Sequence, residues 1–125
     1  MREGMNVQKY QDLVVWQKSI QLVKLVYFLV KKLPKEETYA LSDQMRRAAV
    51  SIPSNIAEGN ERQSTKEYVH YLSIAKGSKA ELQTQLLICV EIGYLAETDI
   101  KETMELCEEI SKILSTIINK LTPDP

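Results

Sequence analysis

His70 is the only histidine in this chain. One subunit alone therefore builds neither a histidine metal cluster nor a serine–histidine–acid triad. Cys89 and Cys107 lack C-x-x-C spacing and fall on apolar helix faces, which reads as two buried thiols rather than a bridge. Two cysteines cannot supply a four-ligand zinc site either. The sequence contains no G-x-G-x-x-G, no G-x-x-x-x-G-K-[ST] and no other glycine-rich phosphate loop. Glu108 and Glu109 are neighbouring carboxylates on an acidic helix face, with no pocket implied, and His70 falls opposite the core of its helix. These residues predict no enzyme, no cofactor and no metal. A catalytic site completed between subunits, where His70 could meet groups from other chains, is a third alternative.

The chemistry that remains is binding. Arg46 and Arg47 are adjacent, and Arg62, Lys66, Lys76 and Lys79 follow, a grouping that could contact phosphates. The competing reading is structural, with Arg47 and Glu58 anchoring a helix contact through charge-assisted bonds. Lys24, Phe28 and Lys31 share one line of a helix with Lys35 just beyond, so Phe28 either stacks a base among lysines or covers a seam of the fold. Net charge is −1 but unevenly spread. Residues 1–90 hold 13 Lys and Arg against 9 Asp and Glu, and residues 91–125 hold 3 against 8. A basic surface is thus compatible with an acidic total.

These residues must be positioned by helices. Four glycines and four prolines in 125 residues leave little material for sheet turns, and no period-two run is bounded by turn residues. The length is that of one domain, able to bury a core without staples. No apolar run is long enough to span a bilayer, and MREGMNVQKYQDL has no hydrophobic signal region, so no membrane role and a cytoplasmic address are expected.

Met1 to Gln11 reads as a mobile lead-in. Asp12 is the expected cap of a first helix over 12–33, with Leu13, Trp16, Ile20, Val23, Tyr27 and Val30 on its stripe, broadened by Val15, Leu22, Val26, Leu29 and Leu33. Ser42 caps a second helix over 42–58, with Gly59 stopping it in the left-handed region. There Leu41, Met45, Ala48, Ala49, Ile52 and Ile56 face the core, and Pro53 predicts a kink. Ser64 and Glu67 form a capping box for a third helix over 65–93. Its inward residues are Tyr68, Leu72, Ala75, Leu82, Leu86 and Val90, and Gly77 weakens it by about 1 kcal/mol unless close packing uses it. Thr98 caps a fourth helix over 99–121, with Ile100, Cys107, Ile110, Leu114, Ile117 and Leu121 on one stripe. The fold class is all-α, an antiparallel up-and-down four-helix bundle.

Two helices carry a second packable face. The second presents Arg47, Val50, Ser51, Ser54, Ala57 and Glu58 away from its core, and the third presents Ile74, Ile88 and Ile92 likewise. One bundle has no place for these faces, which points to burial between subunits.

At MRRAAVSIPSNIAEG the chain resembles a known family: the small four-helix bundle proteins encoded in intervening sequences of the bacterial 23S ribosomal RNA gene, sometimes called ribosomal proteins. DLVVWQKS (12–19), residues 44–59, RQSTKEYVHYLSIAKGSKAELQTQL (62–86) and IGYL (92–95) match in order over nearly the whole chain. The resemblance implies a homo-oligomer, a ring-like pentamer, and assigns no catalytic residues. A distant relative is the accessory variability protein of diversity-generating retroelements, a basic pentamer that works with reverse transcriptase and nucleic acid. One departure is Lys79, where the pattern GS-x-AEL takes an apolar residue; its stem must pack while its ammonium reaches outward. The other is the acidic overall charge. The expected function is a non-enzymatic, homo-oligomeric binding or scaffold module whose partners are further copies of itself and RNA, a ribonucleoprotein or a nucleic-acid-processing protein. The alternative is a structural or protein-interaction oligomer with no nucleic-acid role.

Overall fold

Val14–Val30 forms the first helix, α1. The structure, a computed structural model, describes residues 9–122. Residues 1–8 of the expected lead-in and the terminal 123–125 lie outside the described residues. Within the lead-in, Tyr10–Asp12 forms a 3-10 turn, and the Tyr10 ring meets Trp16 edge-on at 5.5 Å. That turn displaces Asp12 from the expected cap; Leu13 occupies the N-cap with no side-chain bond. At the other end, Lys32 and Leu33 donate to Leu29 and Val30 at 3.0 and 3.1 Å. These tighter turns end α1 before the predicted 33, since the residue preceding Pro34 is driven out of helical geometry.

The buried line of α1 is Val15, Ser19, Leu22, Val26, Leu29 and Val30. The stripe expected to lead, Leu13, Trp16 and Val23, packs only partly against the core, and Tyr27 is 44% exposed. Ser19 enters the core by donating to the Val15 carbonyl at 2.7 Å, so its hydroxyl is buried without loss.

Helix α2 spans Leu41–Glu61 and is continuous across the buried Pro53. Ala40 holds its N-cap position while the expected cap, Ser42, is buried. The Glu37 carboxylate accepts from the Leu41 amide at 3.3 Å instead. Gly59 does not stop α2. It lies inside the helix, where a Cβ would come within 2.7 Å of the Cβ of Tyr71 and 3.0 Å of the Tyr68 ring. Glycine is required there by close approach of the next helix, not by backbone handedness.

Helix α3 spans Thr65–Glu91, and Ser64 accepts from the Glu67 amide at 3.1 Å, as the capping box requires. The left-handed residue that ends it is Gly93, φ 85°. The Tyr94 amide then bonds back to the Cys89 carbonyl at 2.8 Å. Helix α4 spans Glu97–Leu121. Asp99, not Thr98, supports its first turn, accepting from the Ala96 amide at 2.8 Å.

Cross-helix bonds fix the topology. Along α1 and α4, Lys32 meets Asp99 and Lys18 meets Glu109. Along α2 and α3, Met45 meets Cys89, Ser51 meets Ser78 and Gly59 meets Tyr71. Along α3 and α4, Lys76 meets Ser115 and Gln83 meets Glu108. In each pair the numbers run in opposite directions, so neighbours are antiparallel. The helices pack α1 on α2, α2 on α3, α3 on α4 and α4 back on α1, with α2 and α3 in the most extensive contact. At the centre, Leu22, Val26, Met45, Ile52, Ile56, Leu72, Leu82, Leu86, Ile110 and Leu114 are fully buried. This is an all-α bundle of four helices, with no strand among the described residues.

Candidate interaction surfaces

Helix α2 determines where its arginines go. Arg46 is half-buried and its guanidinium donates to the Thr38 carbonyl at 3.0 Å, tying down the loop that enters the helix. Arg47, one residue on, points outward and bonds Asp43 at 3.2 Å. Arg47 and Glu58, which the structural reading gives to a contact with another helix, are both exposed, and Glu58 accepts from Arg62, one turn on, at 2.8 Å.

Arg62 works at the α2–α3 corner. Its Nη2 also donates to the Tyr71 hydroxyl at 2.7 Å, and its guanidinium lies 4.9 Å from the centre of that ring. The pKa of Arg62 is raised, chiefly by the bond to Glu58. Arg46 and Arg62 are 16 positions apart, about 24 Å along the helix. Arg62 and Lys66 therefore sit at one end of the bundle, and Arg46, Arg47 and the end of α1 at the other.

Lys24 and Phe28 on α1, and Lys31 just past its end, are all exposed. Phe28 is 61% exposed and covers no seam. The Lys32 ammonium stands 5.8 Å from its ring centre and bonds Asp99 at 3.0 Å. Lys24 borders a groove of about 560 Å³ between α1 and α4, facing Glu102, Glu105 and Glu109. The aromatic character at this end was only half legible from spacing. Tyr39, in the loop between α1 and α2, is 94% exposed, and no periodicity marks a loop residue.

The second face of α2 is mixed. Arg47, Val50, Ser54 and Glu58 are exposed and Ala57 is partly so. Ser51 is turned toward α3, sharing a 2.8 Å hydrogen bond with Ser78 and accepting from Asn55 at 2.9 Å. On α3, Ile74, Ile88 and Ile92 are 38%, 42% and 54% exposed. By helical position these isoleucines lie on the α2 side of α3, so the two faces flank one seam. Gln85 lies in that seam at 4% exposure, with neither amide atom bonded to any described group.

Lys79 behaves as a long stem should. Its side chain is 12% exposed while the ammonium reaches Gln83 at 3.2 Å and Glu108 at 3.9 Å. His70 is exposed and lies edge-on to Tyr71. Among the described residues no group of three or more His, Cys, Asp and Glu is arranged to hold a metal. Among the described residues no helix is long and apolar enough to cross a membrane.

The fold and its surfaces define a four-helix bundle with an apolar core and exposed apolar and aromatic side chains on its helix faces and loop. Residues 11–116 match the 23S rRNA-intervening sequence proteins, and the chain belongs to that family. A crystal structure from Bacteroides thetaiotaomicron, of a protein of unknown function from the S23 ribosomal protein family, is similar at 27% identity and a TM-score of 0.79. The match covers 90% of this chain and 99% of that one. No curated protein matches the chain.

Proposed function

We propose that the chain is a non-enzymatic, cytoplasmic scaffold that assembles with copies of itself and binds RNA or a ribonucleoprotein. The observation that carries this reading is the line of Ile74, Ile88 and Ile92, each more than a third exposed along one side of α3. Soluble monomers avoid such lines, and each isoleucine buried against a neighbour contributes about 1.5–3 kcal/mol before association entropy is subtracted. The adjoining stripe of α2, with Ser54 and Ala57, lets a partner backbone approach closely. Five subunits in a ring is the count that the family resemblance supplies.

Support for RNA is the concentration of Lys and Arg at the α1–α2 end, where Lys24, Lys31 and Arg47 are exposed. The second reading, an oligomer with protein partners alone, is favoured by one observation: Arg46, Arg47 and Arg62 each have an acceptor within the subunit.

One sample decides between them. The mass of the assembly is measured by light scattering, and the same material is titrated with RNA across a salt series. A multimer whose RNA affinity falls steeply with salt supports the first reading. Lys24→Ala is then expected to flatten the slope by about one phosphate contact while the mass stays the same. A multimer indifferent to RNA at low salt leaves the protein-only oligomer.

A further inference from the structure

The loop between α1 and α2 carries an aromatic ring that packing does not explain. Tyr39 is 94% exposed, yet its loop is tied on both sides. Arg46 donates to the Thr38 carbonyl at 3.0 Å. The Tyr94 hydroxyl donates to Glu37 at 2.9 Å, and the Leu41 amide reaches the same carboxylate at 3.3 Å. The amides of Glu37, Thr38 and Ala40 close short turns onto Pro34, Lys35 and Glu37 at 2.9–3.1 Å. A tyrosine in water on a loose loop needs no account; one held out by a tied loop is preorganised for a contact.

Phe28, 61% exposed, is a second open ring in the last turn of α1, at the same end of the bundle. Lys31 and Lys35 are exposed between the two rings in sequence. From Lys24 to Arg47 the chain carries six Lys and Arg against three acids, Glu36, Glu37 and Asp43. Glu37 is engaged by Tyr94, Asp43 by Arg47, Lys32 by Asp99 and Arg46 by the Thr38 carbonyl, and Lys24 faces the carboxylates of α4. Among the described residues, the cations left open at this end are therefore Lys31 and Lys35.

We propose that this end of the bundle binds single-stranded RNA, with Tyr39 and Phe28 stacking on bases and Lys31 and Lys35 contacting phosphates. The inference rests on the RNA reading above and adds to it a site and a strand preference. Stacking requires an open base face, which a duplex hides and a single strand offers. Open aromatic rings with exposed lysines between them in sequence, Lys31 and Lys35, are what an unpaired polyanion recognises, and stacking is tolerant of sequence.

The test is fluorescence anisotropy of the full chain with a labelled oligouridine and with the same strand annealed to its complement. The single strand is expected to bind more tightly than the duplex. Tyr39→Ala is expected to weaken the single strand about tenfold with no change in salt slope, and Tyr39→Phe to restore affinity. Lys31→Ala with Lys35→Ala is expected to flatten the slope by about 0.7 for each phosphate that is no longer neutralised. Wild-type binding that Tyr39→Ala leaves unchanged overturns this site while sparing the RNA reading. No binding by the wild type at low salt overturns both. Equal affinity for the duplex rules out stacking. A Tyr39→Ala protein that changes oligomeric mass assigns the ring to a protein contact and overturns the inference.

Discussion

Gly59 of α2 lies directly against Tyr71 of α3: a methyl group added there would stand 2.7 Å from the Tyr71 Cβ. The backbones can approach this closely only because the side chain is missing. Gly77, by contrast, has nothing within 4 Å of where its Cβ would be. Gly59→Ala is therefore expected to destabilise the fold by about 1–3 kcal/mol through overpacking. Gly77→Ala is expected to stabilise the subunit by about 1 kcal/mol through helix propensity. Denaturant midpoints of the two variants check the opposite signs, and a tolerated Gly59→Ala would show that the α2–α3 packing is looser than described.

The same two glycines show what could be read from the sequence. The faces of α2, α3 and α4 followed from apolar spacing, and Met45, Ile52, Leu72, Leu86, Ile110 and Leu114 are fully buried where that spacing put them. Ser64 and Lys79 were legible too, because capping and snorkelling are local. Gly59 was not. A glycine after an apolar run reads as a stop, and only the neighbouring helix reveals that it is a point of close approach. The ion pairs that Arg47 and Glu58 make within the subunit, with Asp43 and Arg62 four residues away, follow from local spacing. Phe28 gave one apolar signal for two roles. Tyr39 and Gln85 gave none, one being in a loop and the other a polar residue among core positions.

Gln85 carries the next expectation. Both of its amide atoms are buried and unbonded among the described residues, and leaving such groups unpaired costs about 1–3 kcal/mol. Gln85→Met, of similar length and without the amide, is expected to raise the melting temperature. A lowered one would show that the amide has partners outside the isolated subunit.

The thiols are expected to be inert in the native state. Burial pushes the Cys107 thiol up to about 12, with Lys79 opposing and Glu108 adding to the shift. Burial, then Glu37, raises Cys89 as well, whose Sγ lies 3.7 Å from the Met45 sulfur. Thiolate is the reactive form, so a thiol reagent at mildly alkaline pH should label native protein slowly and unfolded protein at once. Rapid native labelling would contradict the burial.

Acid should expose the role of Asp99. The Ala96 amide first, and the Lys32 ammonium second, hold its carboxyl below the ordinary 3.8. A depressed folded pKa gives stability that is present above the unfolded value and lost as pH falls through the folded one. Asp99→Ala should melt below the wild type at neutral pH, and the gap should close as pH drops below 3.8. A gap constant from neutral to strongly acid pH would mean that the carboxylate charge contributes nothing.

Whether the α2–α3 face is covered by another copy of the chain is decided most directly by light scattering on the wild type and Ile88→Lys. Ile88 is 42% exposed in the subunit, so a lysine there leaves the bundle core untouched. The expected result is a wild-type multimer and a variant of single-chain mass with the same helical circular dichroism. A wild-type mass of 14.3 kDa, that of one chain, would contradict the covered face outright.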